Sequence, residues 1–317
     1  MIQAEGKAFY FETEIQRMMY ASGDSRSPLL ETAHLIEEVV HKQMVLLLQK
    51  AQEVAELREA KYIRPEDMLF LMRKDRYKLR RAIKFLCFSD TKSSIYTDLV
   101  GNVEKKVASS GKRRNLCKDF LLSMDFTGQL MAWVDNDLVV DHIKEERLRR
   151  ADEMSIAMSA DEYINFSHAR GVTFTQSNNN NTLKLREWIF KDGNFLGDAS
   201  QPQLPLGHGI HMELLGYLAH ETLCQLVDFA LQVRRDCNAS ITNPMNRLLP
   251  PSLYVPMTIF KPHDPRYDAP SGKVEFVQPL TPHDVREAVR RFTNPVTPFN
   301  RFSRGFKVPV DQVLFCC

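Results

Sequence analysis

Residues 31–60 read ETAHLIEEVVHKQMVLLLQKAQEVAELREA, and residues 61–88 follow as KYIRPEDMLFLMRKDRYKLRRAIKFLCF. In the first stretch Ile36, Val40, Met44, Leu47, Ala51 and Val54 recur at steps of three and four, which lines one face of a helix. Leu35, Val39, Leu46 and Leu48 widen that stripe. No Gly or Pro interrupts 31–60, so nothing local breaks the helix. At ~1.5 Å per residue it is on the order of 40 Å long. Tyr62 and Ile63 then read as extended, and Pro65 suits the first position of a new helix, where its missing N–H costs nothing. Glu66 and Asp67 put negative charge in that helix's first turn, against the dipole. The spacing of Leu69, Met72, Leu79, Ile83 and Leu86 predicts one helix across 68–86.

A helix this long with so wide an apolar stripe needs a second long helix across it. Residues 209–236, GIHMELLGYLAHETLCQLVDFALQVRRD, supply a candidate: Leu214, Tyr217, Leu218, Leu223, Leu226, Val227 and Leu231 fall in helical register. Further on, PLTPHDVREAVRRF (279–292) repeats the logic of YIRPEDMLFLMRK (62–74). Both have extended residues, a cap, Pro at the first helical position, Asp in the first turn and basic residues at the end. Thr281 is a good N-cap. Arg64 holds the matching place and has no side-chain acceptor to offer.

Short helix, long helix, x-Pro-x-Asp link and short helix resembles the histone fold, here with one unit at each end of a single chain. The combination resembles the histone-fold, TBP-regulating subunit of the SAGA coactivator, the suppressor-of-Ty-three family. The resemblance rests on residues 11–48, 65–86, 118–130 (KDFLLSMDFTGQL), 211–236 and 279–292. It implies an all-α chain whose two histone-fold units pair with each other, head to tail. Ile36, Val40, Met44, Leu47, Val54, Leu214, Leu218 and Leu226 are the expected core of that pair. The expected organisation is an N-terminal histone fold at 8–92, a helical linker region at 93–158 and a C-terminal histone fold at 159–293. A long proline-rich insertion at 239–272 and an irregular tail at 294–317 complete it. Histones keep the connection at 239–272 short, so the insertion departs from the pattern.

Composition bounds the function. The chain has 317 residues, long enough for a real core. Its hydrophobic fraction of 44% and charged fraction of 26% fit a soluble globular protein. The longest apolar runs fall far short of a membrane span, and MIQAEGKAFYFETE is too acidic for a secretory signal. A nuclear or cytosolic protein is implied, and the resemblance selects the nucleus. Lys105-Lys106 and Lys112-Arg113-Arg114 have the spacing of a basic import signal. Six cysteines with no C-x-x-C pair make neither a disulfide scaffold nor a zinc finger. Cys87 and Cys224 sit on apolar stripes and read as buried thiols. A terminal Cys316-Cys317 pair is a prenylation signal in Rab-type GTPases, but the phosphate loop of that class is missing, so a plain reduced tail is expected.

The net charge is only +2, but it is unevenly placed. Lys61–Lys92 holds ten Lys/Arg against four Asp/Glu, whereas Asp135–Glu162 holds nine Asp/Glu against four Lys/Arg. Arg73, Lys74, Arg76, Lys78, Arg80, Arg81 and Lys84 form a basic face that suits phosphates, an acidic partner or plain solvent.

Elsewhere, 8–20 reads as a first short helix, with Gly23 and Pro28 marking the loop before the long one. Residues 93–116 read as a mixed linker and 117–158 as helical. Ser159-x-x-Glu162 is a capping box that starts a helix at Asp161. Asn178–Asn181 reads as a loop, followed by a short helix at 183–190.

No catalytic motif appears. His220-Glu221-x-x-Cys224 puts His and Cys on one helical face at metal spacing, without an evident third ligand. His208 and His211 are a weaker pair. No phosphate loop, nucleophile elbow or dinucleotide fingerprint is present. The expectation is a protein without cofactor, metal or small-molecule substrate.

The resemblance implies a coactivator subunit that binds TBP, together with other SAGA-type subunits including histone-fold proteins, and meets promoter DNA indirectly. An acidic or mixed surface suits the strongly basic flanks of TBP. Glu213, Glu221 and Asp228 on the second long helix are therefore the expected contacts, with Glu287 and Arg290 on the last helix as weaker ones. Their plain alternative is the solvated side of an amphipathic helix. Two other classes stay open: a scaffold that pairs with other histone-fold proteins, and a DNA-binding module, whose affinity would fall steeply with salt.

Overall fold

The computed structural model describes residues 9–60, 62–100, 111–156, 158–175, 179–191, 209–242, 278–293 and 314–315. The described residues form helices and no strands. In chain order they are α1 (Glu12–Ala21), α2 (Leu30–Leu57), α3 (Pro65–Leu71), α4 (Arg76–Val100), α5 (Lys112–Met124) and α6 (Gln129–Asp135). Then come α7 (His142–Ile156), α8 (Ala160–Arg170), α9 (Asn179–Phe190), α10 (Ile210–Thr242) and α11 (Pro282–Thr293). Among the described residues no helix is long and apolar enough to cross a membrane.

The two long helices stand where the periodicity puts them. The helix expected across 68–86 is broken: α3 ends in a 3-10 turn at Met72–Lys74, and α4 starts at Arg76. The cause is Asp75, whose Oδ1 accepts from the N–H groups of Tyr77 and Lys78 at 3.1 and 3.0 Å and so caps a new helix. Helix α4 then continues to Val100, through part of the stretch read as a linker. Helix α9 begins at Asn179, inside the asparagine run read as a loop. Helix α10 extends to Thr242, into the start of the expected insertion. Residues 243–272 of that insertion lie outside the described residues. So do 294–313 and Cys316-Cys317 of the tail, His208 and Lys105-Lys106.

The repeated caps share one working part. Asp67 accepts from the Arg64 N–H at 2.7 Å, and Asp284 accepts from the Thr281 N–H at 3.0 Å. Thr281 Oγ1 adds a reciprocal bond from the Asp284 N–H at 3.4 Å. The acidic third residue, reaching back over the Pro, is what the two copies have in common. Ser159 and Glu162 form the expected capping box, and α8 starts at Ala160.

Two compact units divide the chain, each gathered from three stretches. The first holds Met1–Lys42, His142–Thr173 and His220–Val313; the second holds Gln43–Asp141, Phe174–Ala219 and Leu314–Cys317. Each long helix thus contributes to both.

In the first unit α1 packs on α8, with the Tyr20 ring edge-on to Phe166 at 5.3 Å. Glu37 is 1% exposed. Its carboxylate accepts from the Tyr10 and Phe11 N–H groups at 2.8 and 3.2 Å, which places a buried charge at the positive end of α1. Ile36, Val40 and Leu226 lie buried in this unit.

In the second unit Met44, Leu47, Leu214 and Leu218 are buried, and Trp188 stacks on Phe174 at 5.8 Å between ring centroids. Val54, expected in the core, is only half-buried. It lines an open groove of about 330 Å³ with Leu57, Phe70, Phe120 and Met124, where the end of α2 is incompletely covered. Leu314 and Phe315 belong to the same unit and are buried. Phe315 donates its N–H to Gln43 Oε1 at 2.8 Å, and its carbonyl accepts from Lys78 Nζ at 2.7 Å, so this piece of the tail is anchored.

Gly216, in the middle of α10, is set against Thr175. A Cβ there would lie 2.4 Å from Thr175 Cγ2 and 3.2 Å from its Cβ. Gly216→Ala is expected to destabilise by about 1–3 kcal/mol despite the better helix propensity of Ala. Thr175→Ala in the same chain restores most of the loss, and thermal melts of the single and double variants check both.

Candidate functional site

Two loop contacts join distant parts of the sequence. In the first unit Asp24, in the loop before α2, is 1% exposed. Its Oδ1 accepts from the Leu280 N–H at 2.8 Å and the Ser25 N–H at 2.7 Å. Thr32 Oγ1 donates to the Leu280 carbonyl at 2.8 Å. Leu280, which is fully buried, is thus held by both of its backbone groups. In the second unit His211, at the start of α10, donates from Nε2 to the Ile63 carbonyl at 3.0 Å. In each case a side chain at the start of a long helix, or in the loop before it, grips the link before a short helix. Burial pushes the Asp24 carboxyl above its ordinary range, against the backbone donors of Leu280 and Ser25. Burial likewise pushes the His211 imidazole down, which favours the neutral ring that donates to Ile63.

Asp24→Ala leaves two buried N–H groups without an acceptor and is expected to cost about 1–3 kcal/mol. Asp24→Asn keeps the accepting oxygen and removes the buried charge, so it is expected to cost clearly less. Denaturant melts of both variants give the comparison.

The acidic residues expected on the solvated side of α10 are engaged in ion pairs. Arg147 of α7 donates to Asp228 at 2.7 Å and to Glu221 at 3.0 Å. Arg150 donates to the other oxygen of Asp228. Glu221 is 8% exposed. In the second unit Arg113 of α5 joins Glu213, at 2.7 Å, to Asp90, at 3.0 Å. Expectation and structure differ because the partners lie 74 to 100 residues away in sequence, where helical periodicity carries no signal. Arg113 is also part of the basic import pattern, and here it is a structural latch.

The basic face is largely consumed as well. Arg80 is 7% exposed and donates to the carbonyls of Val134, Asn136 and Val139. Arg81 pairs with Asp141 at 2.8 Å and Lys84 with Asp137 at 2.7 Å. Lys78 holds Phe315. Arg73 lies over the Phe70 ring at 3.9 Å. Only Arg73, Lys74, Arg76 and Lys84 of the seven are exposed. Asp137 and Asp141, from the start of the acidic stretch, thus pair with two members of the basic face inside the second unit.

Glu287 and Arg290 on α11 come closest to the expectation. Arg290 is exposed and pairs with Glu287 at 2.6 Å, while Arg291 reaches the same carboxylate and Asp236. The two guanidinium groups, Arg290 first, hold the Glu287 carboxyl down at about 2. His220 Nδ1 lies 3.6 Å from Cys224 Sγ, which also touches Ser22 Oγ at 3.5 Å. Among the described residues no group of three His, Cys, Asp or Glu could hold a metal ion.

The family model described as transcription initiation factor IID, 18kD subunit, matches residues 9–99, the span of α1 to α4. The chain is 25% identical over 259 residues to SAGA complex subunit SPT3 of Saccharomyces cerevisiae, covering 71% of this chain and 74% of that protein. It is 28% identical over 245 residues to SAGA complex subunit Spt3 of Schizosaccharomyces pombe, covering 72% and 75%. Over most of its length the chain is similar to the Spt3 subunits of SAGA. A match of another kind, 41% identical over 76 residues, is to transcription initiation factor TFIID subunit 13 of Dictyostelium discoideum, covering 24% of this chain and 70% of that one. The similarity to Spt3 subunits thus extends over most of the chain, whereas the family-model match of the TFIID type covers the N-terminal helices.

Proposed function

We propose that this chain is a non-enzymatic coactivator subunit of a SAGA-type complex, acting in the nucleus, that binds TBP and helps position it at RNA polymerase II promoters. Similarity to the Spt3 subunits of SAGA supports the coactivator role and partnership with other subunits of transcription complexes. The internal histone pair is part of the same proposal. The observation that carries it is the grip on Leu280 by Asp24 and Thr32, matched by the bond from His211 to Ile63. Both contacts tie the start of one trio's long helix, or the loop before it, to the link of the other trio, as a head-to-tail pair requires. A pair closed within one chain covers its own apolar stripes and presents charged surfaces to partners.

The pattern of ion pairs selects the residues to test. Glu213, Glu221 and Asp228 stay on the list of contacts only as groups that would have to leave their arginines, and Glu221→Lys would set a second cation beside Arg147. Glu287 and Arg290 can be changed without opening a core. Titration of the purified chain with TBP is the test. Arg290→Gln and Glu287→Gln are each expected to change the affinity by about 2–5-fold with only a small loss in melting temperature, the range of an exposed charge pair. A chain that folds as a monomer and fails to bind TBP at micromolar concentration contradicts the TBP reading and leaves a scaffold.

A further inference from the structure

Two thiols meet where α4 packs on α5. Cys87 lies on α4 three residues before Asp90, and Cys117 lies on α5 three and four residues after Arg114 and Arg113. Residues at those spacings share a helix face. Asp90 is 5% exposed. It accepts from the Arg113 guanidinium at 3.0 Å and from the Arg114 N–H at 2.9 Å, which clamps the two faces together one turn from the cysteines. Counting from that clamp, Cys87 and Cys117 fall at matching places on the two packed helices, and their thiols interact. Both thiols are free; Cys117 is 1% exposed and Cys87 is half-buried, so only Cys87 is within reach of a small oxidant.

We propose that Cys87 and Cys117 are a redox dithiol, which hydrogen peroxide closes to a disulfide that cross-links α4 and α5. The Cys87 sulfur attacks one peroxide oxygen, the O–O bond breaks, and Cys87 becomes a sulfenic acid as water leaves. The Cys117 sulfur then attacks the Cys87 sulfur. The S–S bond forms, the S–O bond breaks, and the departing hydroxide takes the Cys117 proton as a second water. Two thiols are oxidised by two electrons and one peroxide is reduced to two waters.

The surroundings fit that order of events. Interaction with Cys117, helped by Arg114, brings the Cys87 thiol down to about 7 against the opposing effects of burial and Asp90. Cys87, the more exposed of the two, is therefore the attacking thiolate. The same interaction, with burial, pushes Cys117 up. Conversion of Cys87 to a neutral sulfenic acid removes the charge that holds the Cys117 proton. The cross-link forms beside Arg113, which also holds Glu213 of α10, so oxidation fixes a helix junction that is otherwise made of ion pairs.

The test is a peptide map of the full chain after brief treatment with stoichiometric hydrogen peroxide, trapping with N-ethylmaleimide and trypsin digestion without reductant. The expected major product joins the peptide 85–92 to the peptide 115–118 and is two hydrogens lighter than their sum. In Cys117→Ser the sulfenic acid has no resolving thiol, and dimedone labelling of Cys87 is expected to rise by about tenfold. In Cys87→Ser, Cys117 stays unmodified. The proposal is overturned if the wild-type map shows Cys87 and Cys117 still reduced while Cys224, Cys237, Cys316 or Cys317 is oxidised. It is equally overturned if Cys87 is oxidised and Cys117 remains free. The wild-type map decides the matter even where a serine variant fails to fold.

Discussion

Arg147→Ala is expected to be among the most damaging single changes in this chain, at a cost of about 2–4 kcal/mol. The side chain of Arg147 is 23% exposed, and it neutralises Glu221 and Asp228 at once. Breaking a fully buried ion pair by removing one partner costs ~3–5 kcal/mol, because the other charge stays behind in a poor solvent. Partial exposure reduces that figure here. Arg150 still serves Asp228 after the change, so Glu221, 10% exposed at its side chain, is the carboxylate that loses its arginine. Glu221→Gln in the Arg147→Ala background should therefore recover part of the loss, and Arg147→Lys should lose less than Ala because a cation remains. A thermal melt reads all three. For a unit of this size a loss of about 2–4 kcal/mol corresponds to roughly 5–15 °C. An Arg147→Ala chain that melts with the wild type would mean that the network carries no stability.

The second large effect is expected at Trp188. The ring is fully buried in the second unit and stacked on Phe174. Truncating a buried Trp removes its transfer free energy and leaves a cavity that rigid helices cannot close, at a cost of about 3–5 kcal/mol. Trp188→Phe retains most of the volume and an aromatic face, so it is expected to cost less than half as much. Denaturant unfolding of the two variants separates the volume term from a general intolerance of change on α9. The helix carrying Trp188 was expected only from residue 183. Its packing role was not visible, because a single tryptophan in a short, weakly periodic stretch does not announce whether it faces in or out.

What could be read from the chain follows the range of the forces involved. Residues such as Ile36, Val40, Met44, Leu47, Leu214, Leu218 and Leu226 are buried as the 3.6-residue period predicts, since periodicity depends only on neighbours along one helix. The caps at Asp67, Ser159 and Thr281 are equally local and equally legible. Asp75 was not, because the apolar period runs straight through it while its side chain stops one helix and starts another. The polar partners were least legible. Glu213, Glu221 and Asp228 have the spacing of a solvated face, and only the folded chain brings Arg113 and Arg147 to them. The uneven charge was visible as a basic stretch followed by an acidic one. Read alone, the basic stretch suggests a phosphate surface. Arg81 with Asp141 and Lys84 with Asp137 make it one half of an internal pairing. Val54 departs in the opposite sense: it holds a core position in the helical register, but the helix end that carries it is only partly covered.

The account turns on the two histone-fold units satisfying each other within one chain. Light-scattering mass measurement on the chain as it elutes from gel filtration tests this directly. The account predicts a single monodisperse species of 36.6 kDa, unchanged over a hundredfold dilution. A species of twice that mass, or aggregates that dissolve only when another histone-fold protein is added, would show that each apolar stripe is covered by a different molecule and would contradict it.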